Sequence, residues 1–387
     1  MSHLQRVFKI VVTFLAVYIV FDIYIRIHYL SLPDIHKETL RNTNTVRAET
    51  CIVQKYITTI WERNSRLRQK CKITKQVLTP TNVTFYNWKN LNYCKVPKCG
   101  STFWMQVFLA LNDVENIKDV FGKRRSLYHN NALNKKSTMD HFSGSDVIFH
   151  VTRNPYSRLY SAYVDKIYLP GFWGVASEIN KRNGKACSQS PSFEEFLKFI
   201  MKENYQDPHW QPISEICGSC NVPYNVVSKQ ETFNNDVQFI LDHLSISRRL
   251  KKEFLTNLKK KHTENSIKEI TKVMIGYAKE APCLTFIQFC QRLWKSFKIQ
   301  GYISNLLSFP LKKFRTLNFT NTTAIVKIYI KGTKKIHMTS MMKRHQRQHY
   351  LAKAYKGISH KAIKDLKRMY KADFDLYGYS YELPKEH

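Results

Sequence analysis

A short turn between two apolar segments, YCKVPKCGSTFW at 93–104, has the residue types of an anion site. If a helix begins after this turn, its unpaired N–H groups and its dipole favour a negative charge. Gly100 lets the backbone approach an anion closely, Ser101 and Thr102 add hydroxyl donors, and Lys98 can follow a leaving group. No G-x-x-x-x-G-K pattern is present, so this is not a Walker A loop. Taken alone, a capped turn with a surface lysine remains the alternative.

A second stretch, HVTRNPYSRLYSAYVDK at 150–166, has the same character. Arg153 stands where a strand should end, and its forked guanidinium can bind two phosphate oxygens. Ser161 lies two helical turns further on, and Arg158 could supply more donors. An arginine after a strand is by itself more often a salt-bridge partner. Two anion sites after two strands, however, predict a nucleotide that carries two separated charged groups.

The elements that must position these residues alternate between strand and helix. Apolar runs predict buried strands at 91–96 and 146–152, and helical patterns occupy 102–111, 155–168 and 192–204. Strands that alternate with helices predict an α/β fold with a central parallel sheet flanked by helices.

The N-terminus has the pattern of a membrane anchor. Residues 7–25 are apolar except for Lys9, Thr13 and Asp22, and are about long enough to span a bilayer. Arg6 and Lys9 place the N-terminus in the cytosol by the positive-inside rule. No A-x-A-like cleavage site follows, so we expect an uncleaved signal anchor rather than a removed signal peptide or a buried core helix.

This placement divides the chain and puts most of it in the secretory lumen. We expect a cytosolic tail at 1–6, a transmembrane helix at 7–30, a lumenal stem at 31–84 and a catalytic domain at 85–387. Within the catalytic domain, residues 246–345 form a Lys-rich stretch that looks like an insertion.

Cysteine, sequon and charge counts agree with a lumenal location. Nine cysteines should pair in part in an oxidising lumen, and their odd number leaves at least one unpaired or intermolecular. Glycosylation sequons begin at Asn82, Asn318 and Asn321. The net charge of +33 indicates an anionic partner or a solvated basic surface. A lumenal location favours acidic glycans over nucleic acid.

The two anion motifs together resemble those of the Golgi sulfotransferases, which use 3′-phosphoadenosine 5′-phosphosulfate. A third stretch, DPHWQPISEICGSC at 207–220 followed by PYNVVSKQET at 223–232, is similar to the chondroitin, dermatan and N-acetylgalactosamine 4-O-sulfotransferases and the related glucuronyl 3-O-sulfotransferase. Tyr370 and the sequence DFDLYGY at 373–379 match the family's closing motif. The resemblance covers about 85–240 and 360–380. It implies a P-loop-like sulfotransferase fold preceded by one transmembrane helix in the Golgi membrane.

The resemblance also implies roles for particular residues. Lys98 would stabilise the charge on the leaving 5′-phosphate, while Arg153 and Ser161 would hold the 3′-phosphate, and no metal is required. The general base is expected to be His209, with His129 and His141 as alternatives. The loop expected to hold the 5′-phosphosulfate consists of Pro97, Lys98, Cys99, Gly100, Ser101, Thr102 and Phe103. For Cys217 and Cys220 a disulfide role is favoured over zinc, because a single C-x-x-C is a weak metal signal.

The acceptor remains open at this point. The branch resemblance favours N-acetylgalactosamine of chondroitin- or dermatan-type chains. The G-S-T core of the loop is closer to sulfotransferases that act on uronic acid or galactose. From a different class, the chain could be an inactive glycan-binding membrane protein, but the intact Lys98, Arg153 and Ser161 argue against it. A nucleotide kinase should carry a Walker lysine, which is absent.

Overall fold

The computed structural model describes residues 43–74, 83–112, 135–137, 142–202 and 206–386. From residue 59 onward the chain forms one compact unit. The predicted anchor at 7–30 lies outside the described residues, and within them no helix is long and apolar enough to cross a membrane.

A mixed sheet forms the centre of this unit, with strand order β3-β1-β2-β4-β5. β2, β4 and β5 run parallel, as Leu91 opposite Val147 and Phe149 opposite Val226 show. β1 is antiparallel to both β2 and β3. The strands are β1 Thr84–Trp88, β2 Leu91–Cys94, β3 Lys135–Ser137, β4 Val147–Thr152 and β5 Val226–Lys229.

The predicted parallel sheet is therefore confirmed for β2, β4 and β5 and is wrong at β1, which pairs antiparallel with both of its neighbours. Only the residues 89–90 join β1 to β2, and so short a link permits only an antiparallel hairpin. Helices occupy the longer connections and flank the sheet. They are α1 Thr43–Thr74, α2 Ser101–Asn112, α3 Pro155–Tyr163, α4 Trp173–Arg182, α5 Phe193–Lys202, α6 Ile213–Ile216, α7 Phe233–Asp242, α8 Arg248–Thr256, α9 His262–Ala278, α10 Phe286–Ile299, α11 Leu311–Phe314, α12 Thr322–Lys335, α13 Ser340–Lys356, α14 His360–Met369 and α15 Lys371–Tyr377.

Parallel strands place their carboxyl ends at one edge, and this edge carries the predicted motifs. The segments that follow β2, β4 and β5 all begin there. Beneath them Tyr93, Trp104 and Phe149 pack as a buried aromatic group, with ring centroids 4.8 Å apart for Tyr93–Phe149 and 4.6 Å for Trp104–Phe149. The loop after β2 therefore rests on a close-packed base.

The predicted stem is in part a component of the folded unit. Residues 59–74 of α1 bury Ile60 and Leu67 in the core around the sheet. Arg63 forms an ion pair of 2.7 Å with Asp236. The apolar face and the ion pair hold this segment within the compact unit that includes residues 59–387. The boundary at 85 between stem and catalytic domain stays a prediction.

The Lys-rich stretch at 246–345 is a folded helical layer. Side chains from α9, α10 and α12 share a hydrophobic core that includes Met274, Phe289 and Tyr329. Arg292 ties the layer to the rest of the unit, because its guanidinium donates to the backbone oxygen of Ser188 at 2.7 Å. The lysines of this stretch therefore belong to a layer that has its own apolar core.

Disulfides join distant parts of the sequence, as expected for a lumenal protein. The pairs are Cys71–Cys220, Cys94–Cys217 and Cys187–Cys283. Both cysteines of the C-x-x-C sequence are thus in disulfides, each with a different partner. The expectation of a disulfide role for this pair is confirmed.

Replacing His150 on β4 by phenylalanine is expected to remove part of the acid sensitivity of the fold. His150 is fully buried between Tyr224 and Tyr377, and its ring nitrogens have no hydrogen-bond partner among the described residues. Burial lowers its pKa to about 3, against an ordinary 6.5. Since the unfolded chain binds this proton first, stability is complete above about 6.5 and declines as the pH falls toward 3.

Between pH 8 and pH 5, the free energy of unfolding of wild type should fall by about 2 kcal/mol more than that of His150→Phe. The reason is that position 150 takes up a proton at pH 5 only in the unfolded wild type. Urea unfolding at pH 8 and pH 5 measures this difference. The same substitution at the exposed His243 is the control. Equal pH dependence for wild type and His150→Phe would contradict the assignment.

Candidate active site

The loop after β2 has an unusual backbone that directs its groups toward a cavity. Lys98 has a φ of 69° and Gly100 a φ of 77°, both in the left-handed region. A non-glycine residue in this region marks a site that the surrounding structure must hold in place. The Gly100 carbonyl accepts hydrogen bonds from Phe103 N at 3.0 Å and Trp104 N at 3.3 Å, so α2 begins directly at the loop.

Glycine is required at position 100 for space as well as for conformation. A Cβ there would stand 2.5 Å from the ring of Phe233 and 3.1 Å from the side-chain oxygen of Gln230. Cys99 points into the core and is fully buried, which raises the pKa of its thiol to about 12. The thiol is therefore protonated and structural, and the cavity is lined by its neighbours Pro97, Gly100 and Ser101.

Arg153 connects the two predicted anion motifs directly. Its Nη1 donates to the backbone oxygen of Lys98 at 2.9 Å, and its Nε donates to Oγ of Ser157 at 2.9 Å. Asn154 caps α3, since its Oδ1 accepts from Tyr156 N at 3.0 Å. Arg153 and Ser161 both line the cavity, so the structure brings together the residues expected to bind the two ends of the nucleotide.

Arg158 has a different role from the one expected. Its guanidinium is buried and donates to three backbone oxygens, those of Pro97 at 3.2 Å, Pro208 at 2.8 Å and Gln211 at 2.6 Å. The expectation that it supplies donors to a ligand is therefore wrong. Arg158 instead fixes the loop that carries Lys98 to the segment that carries His209.

Replacing Arg158 by methionine is expected to lower the free energy of unfolding by about 3 kcal/mol. Methionine fills similar space but cannot donate to the three partly buried carbonyl oxygens that Arg158 now serves. Chemical denaturation measures the change. The matched control is Arg182→Met, which breaks an exposed ion pair with Glu178 and should cost less than about 1 kcal/mol. Equal stability losses in the two variants would contradict the role.

An ion pair that the sequence did not indicate lies beside the loop. Lys98 Nζ is 2.8 Å from Oδ2 of Asp165, and both side chains are mostly buried. Lys166 lies 3.9 Å from the same oxygen. Asp165 follows Ser157 and Ser161 at steps of four residues, so it belongs to the same helical face. This periodicity was the signal that could have identified it.

The predicted base is held as a neutral imidazole. His209 Nδ1 is 2.7 Å from Oδ1 of Asp207, and His209 lines the cavity. Burial lowers the pKa of His209, and the positive charges of Lys166 and Lys98 lower it further, while the bond to Asp207 raises it in part. An imidazole that donates from Nδ1 has a free acceptor at Nε2, as a general base requires.

The closing motif joins the segments around the cavity. Asp373 accepts from the backbone N–H groups of Ile213 and Ser214, each at 2.8 Å, and so caps α6. Tyr379 Oη lies 2.9 Å from Oγ1 of Thr152 and 3.1 Å from Oε2 of Glu231. The C-terminal motif thus has a structural function in holding the strand ends together.

Of the remaining predicted residues, namely the alternative general bases and the glycosylation sites, the structure describes some but not all. His129, His141 and the sequon asparagine Asn82 lie outside the described residues. Asn318 and Asn321 are exposed in the turn before α12, where a glycan could be attached. Glycosylation at these positions stays a prediction.

The cavity has a volume of about 2110 Å³, which is large enough for a nucleotide and part of a glycan. The loop 97–103 and α3 form one side of it, and α9 and α13 contribute other walls. Ten of its lining residues are lysine or arginine, and three are carboxylates. The cavity therefore suits a strongly anionic ligand.

Comparison with known proteins decides the family. The model of the sulfotransferase family matches residues 81–296, more than half of the chain. The chain belongs to the sulfotransferase family. The match extends through residue 296, so it includes the first half of the stretch that we expected to be an insertion.

Curated relatives of this sulfotransferase are carbohydrate sulfotransferases. Carbohydrate sulfotransferase 10 of Gallus gallus is 27% identical over 181 residues, which cover 40% of this chain and 50% of that protein. Carbohydrate sulfotransferase 11 of Mus musculus is 27% identical over 220 residues, covering 50% and 61%. Carbohydrate sulfotransferase 8 of Mus musculus is 26% identical over 208 residues, covering 46% and 49%.

These matches are partial on both sides. The sulfotransferase spans about half the length of the curated relatives it matches. No solved structure matches it. The expected membership of the carbohydrate sulfotransferase family is confirmed.

Proposed function

We propose that the protein transfers a sulfuryl group from 3′-phosphoadenosine 5′-phosphosulfate to a hydroxyl of a glycan. The observation that carries the proposal is the hydrogen bond between Arg153 Nη1 and the Lys98 carbonyl at 2.9 Å. It joins a phosphate-binding residue type to the anion loop within one basic cavity. The left-handed loop, the required glycine at position 100 and the start of α2 fit a bound phosphosulfate.

Each residue has a separate task in this reaction. The co-substrate supplies an activated sulfuryl group and a phosphate leaving group. Lys98 stabilises the charge that develops on the oxygen between them, as in other in-line transfers. His209 Nε2 takes the proton from the acceptor hydroxyl, and Asp207 holds the ring in the required tautomer. Arg153 and Ser161 hold the 3′-phosphate.

The acceptor we propose is N-acetylgalactosamine in a chondroitin- or dermatan-type chain. The family relationship and the basic cavity support an anionic glycan. A uronic acid or galactose acceptor is the alternative. We further propose that residues 7–30 anchor the protein in the Golgi membrane with its catalytic domain in the lumen. The three disulfides are consistent with that oxidising compartment.

The test uses the full chain purified in detergent and co-substrate carrying radiolabelled sulfate. The acceptors are chondroitin, dermatan, desulfated heparan and a glucuronic-acid-terminated oligosaccharide. Label on one of them that is absent with Lys98→Ala supports the proposal and identifies the acceptor. If the folded protein neither transfers label nor binds adenosine 3′,5′-bisphosphate, the proposed reaction is wrong and an inactive glycan-binding role takes its place.

A further inference from the structure

One face of α13 presents three positive charges to the cavity. Lys343, Arg344 and Arg347 line the cavity together with other residues of the same helix at steps of three or four. These other residues are Ser340, Gln348 and Leu351. The two anion motifs at 93–104 and 150–166 did not indicate this basic helix face, because α13 lies far from them in the sequence.

The position of this face is fixed by packing on both sides of the helix. Tyr355 Oη donates to the backbone oxygen of Tyr156 on α3 at 2.9 Å. Gln346 Nε2 donates to the backbone oxygens of Lys298 at 2.6 Å and Ile303 at 2.8 Å. The basic face is therefore held against the layer built from 246–345 and against α3, which carries Ser161.

The charges of this face have no carboxylate partner among the residues that the structure describes. Within the described part of the chain, no carboxylate forms an ion pair with Lys343, Arg344 or Arg347. Lys343 is partly buried, and Arg344 and Arg347 are exposed to solvent, so their charged groups are open to a ligand in the cavity. Like charges that lie close together repel one another, and a bound anion would relieve that repulsion.

The number of charges exceeds what the co-substrate needs. Ten cationic and three anionic side chains line the cavity. A phosphosulfate and a 3′-phosphate together carry about four negative charges. About three positive charges remain, and α13 provides three. Arg153 and Ser161 already bind the 3′-phosphate in the proposed reaction. The remaining positive charge of the cavity therefore favours the binding of a second anion.

We propose that Lys343, Arg344 and Arg347 form a subsite for an oxyanion of the acceptor, a carboxylate or a sulfate ester. This group would belong to a sugar next to the one that receives the sulfuryl group. The inference rests on the proposed function, and it restricts the acceptor to a glycan that is acidic before transfer. A 3′-phosphate is the other source of the same chemistry, and the test separates the two.

The experiment compares wild type with Arg344→Gln/Arg347→Gln. The matched control is Lys353→Gln/Lys356→Gln, which removes two exposed charges of the same helix that do not line the cavity. Three quantities are measured in the full chain. They are the KM for chondroitin, the KM for carboxyl-reduced chondroitin and the Kd for adenosine 3′,5′-bisphosphate.

We expect the KM for chondroitin to rise about tenfold or more in the cavity variant, as for the loss of charge-assisted hydrogen bonds. The KM for the carboxyl-reduced acceptor and the Kd for the bisphosphate should stay within about twofold of wild type. The control variant should match wild type throughout. A weakened Kd with an unchanged acceptor KM would assign the face to the 3′-phosphate and overturn the proposal.

If neither KM nor the Kd changes in the cavity variant, the basic face is only a solvated surface and the proposal is overturned. If wild type transfers no sulfate at all, the proposed function fails, but the subsite is still tested by direct binding. Fluorescence anisotropy with labelled chondroitin oligosaccharides would then serve as the measurement. Weaker binding by the cavity variant than by the control supports the subsite, and equal binding overturns it.

Discussion

Replacing Lys98 by alanine is expected to lower kcat for sulfuryl transfer by about 10²- to 10³-fold. Lys98 Nζ is held 2.8 Å from Asp165, at the start of α2 and inside a basic cavity. Its charge should act most strongly when the leaving oxygen becomes negative, because the Lys98 side chain is mostly buried and charges attract more strongly there than in water. Single-turnover transfer of radiolabelled sulfate measures the chemical step directly.

The structure provides a close control for this substitution. Lys89 has a φ of 49°, is exposed in the turn between β1 and β2, and does not line the cavity. Lys89→Ala therefore makes the same side-chain change in a similar backbone conformation. We expect it to leave kcat unchanged within about twofold. A rise in the KM for the co-substrate with kcat unchanged would assign Lys98 to binding alone and contradict the prediction.

The parts of the site that the sequence predicted are those with local causes. A strand end, a glycine turn and a helix start follow one another within twelve residues at 93–104, so neighbouring residues determine the geometry. The same holds for Asn154 and Pro155, which begin α3 beside Arg153. The resemblance then supplied roles for these residues, and the structure brings them into one cavity.

The parts that were missed depend on contacts between distant segments. Arg158 has the spacing of a ligand-facing residue, yet its acceptors lie 50 to 61 residues away in sequence. The sequence around Arg158 does not predict whether its side chain faces the cavity or the protein interior. The packing of residues 59–74 against the core and the partners of Cys217 and Cys220 in their disulfides have the same origin. Each depends on contacts with residues that are distant in the sequence and come close only when the chain folds.

Replacing His209 by glutamine is expected to lower kcat by about 10²- to 10⁴-fold, the usual loss for a positioned general base. Glutamine can still form hydrogen bonds but cannot take a proton at pH 7. The matched control is His243→Gln, because His243 is exposed and its Nδ1 also has a single acceptor, the Phe239 oxygen at 2.7 Å. Initial rates at saturating acceptor measure the difference.

The pH profile separates a base from a merely structural histidine. A base works when neutral, so kcat/KM should be full at high pH and fall as the pH drops through the pKa of His209. Burial, with Lys166 and Lys98, lowers the pKa of His209 below 6.5, so the midpoint of the fall should lie below pH 6.5. Asp207→Asn replaces the charged acceptor, which raises the pKa of His209, by a neutral amide and should move the fall to still lower pH.

The same profile can also refute the assignment. If His209→Gln keeps residual activity with the acidic limb of wild type, the titrating group is elsewhere and His209 only positions other groups. Two results together would show that His209 takes the proton from the acceptor. The acidic limb of the kcat/KM profile disappears in His209→Gln, and in Asp207→Asn it moves to lower pH. That outcome would also explain the positive residues around the ring, since Lys98 and Lys166 favour the neutral imidazole that the reaction needs.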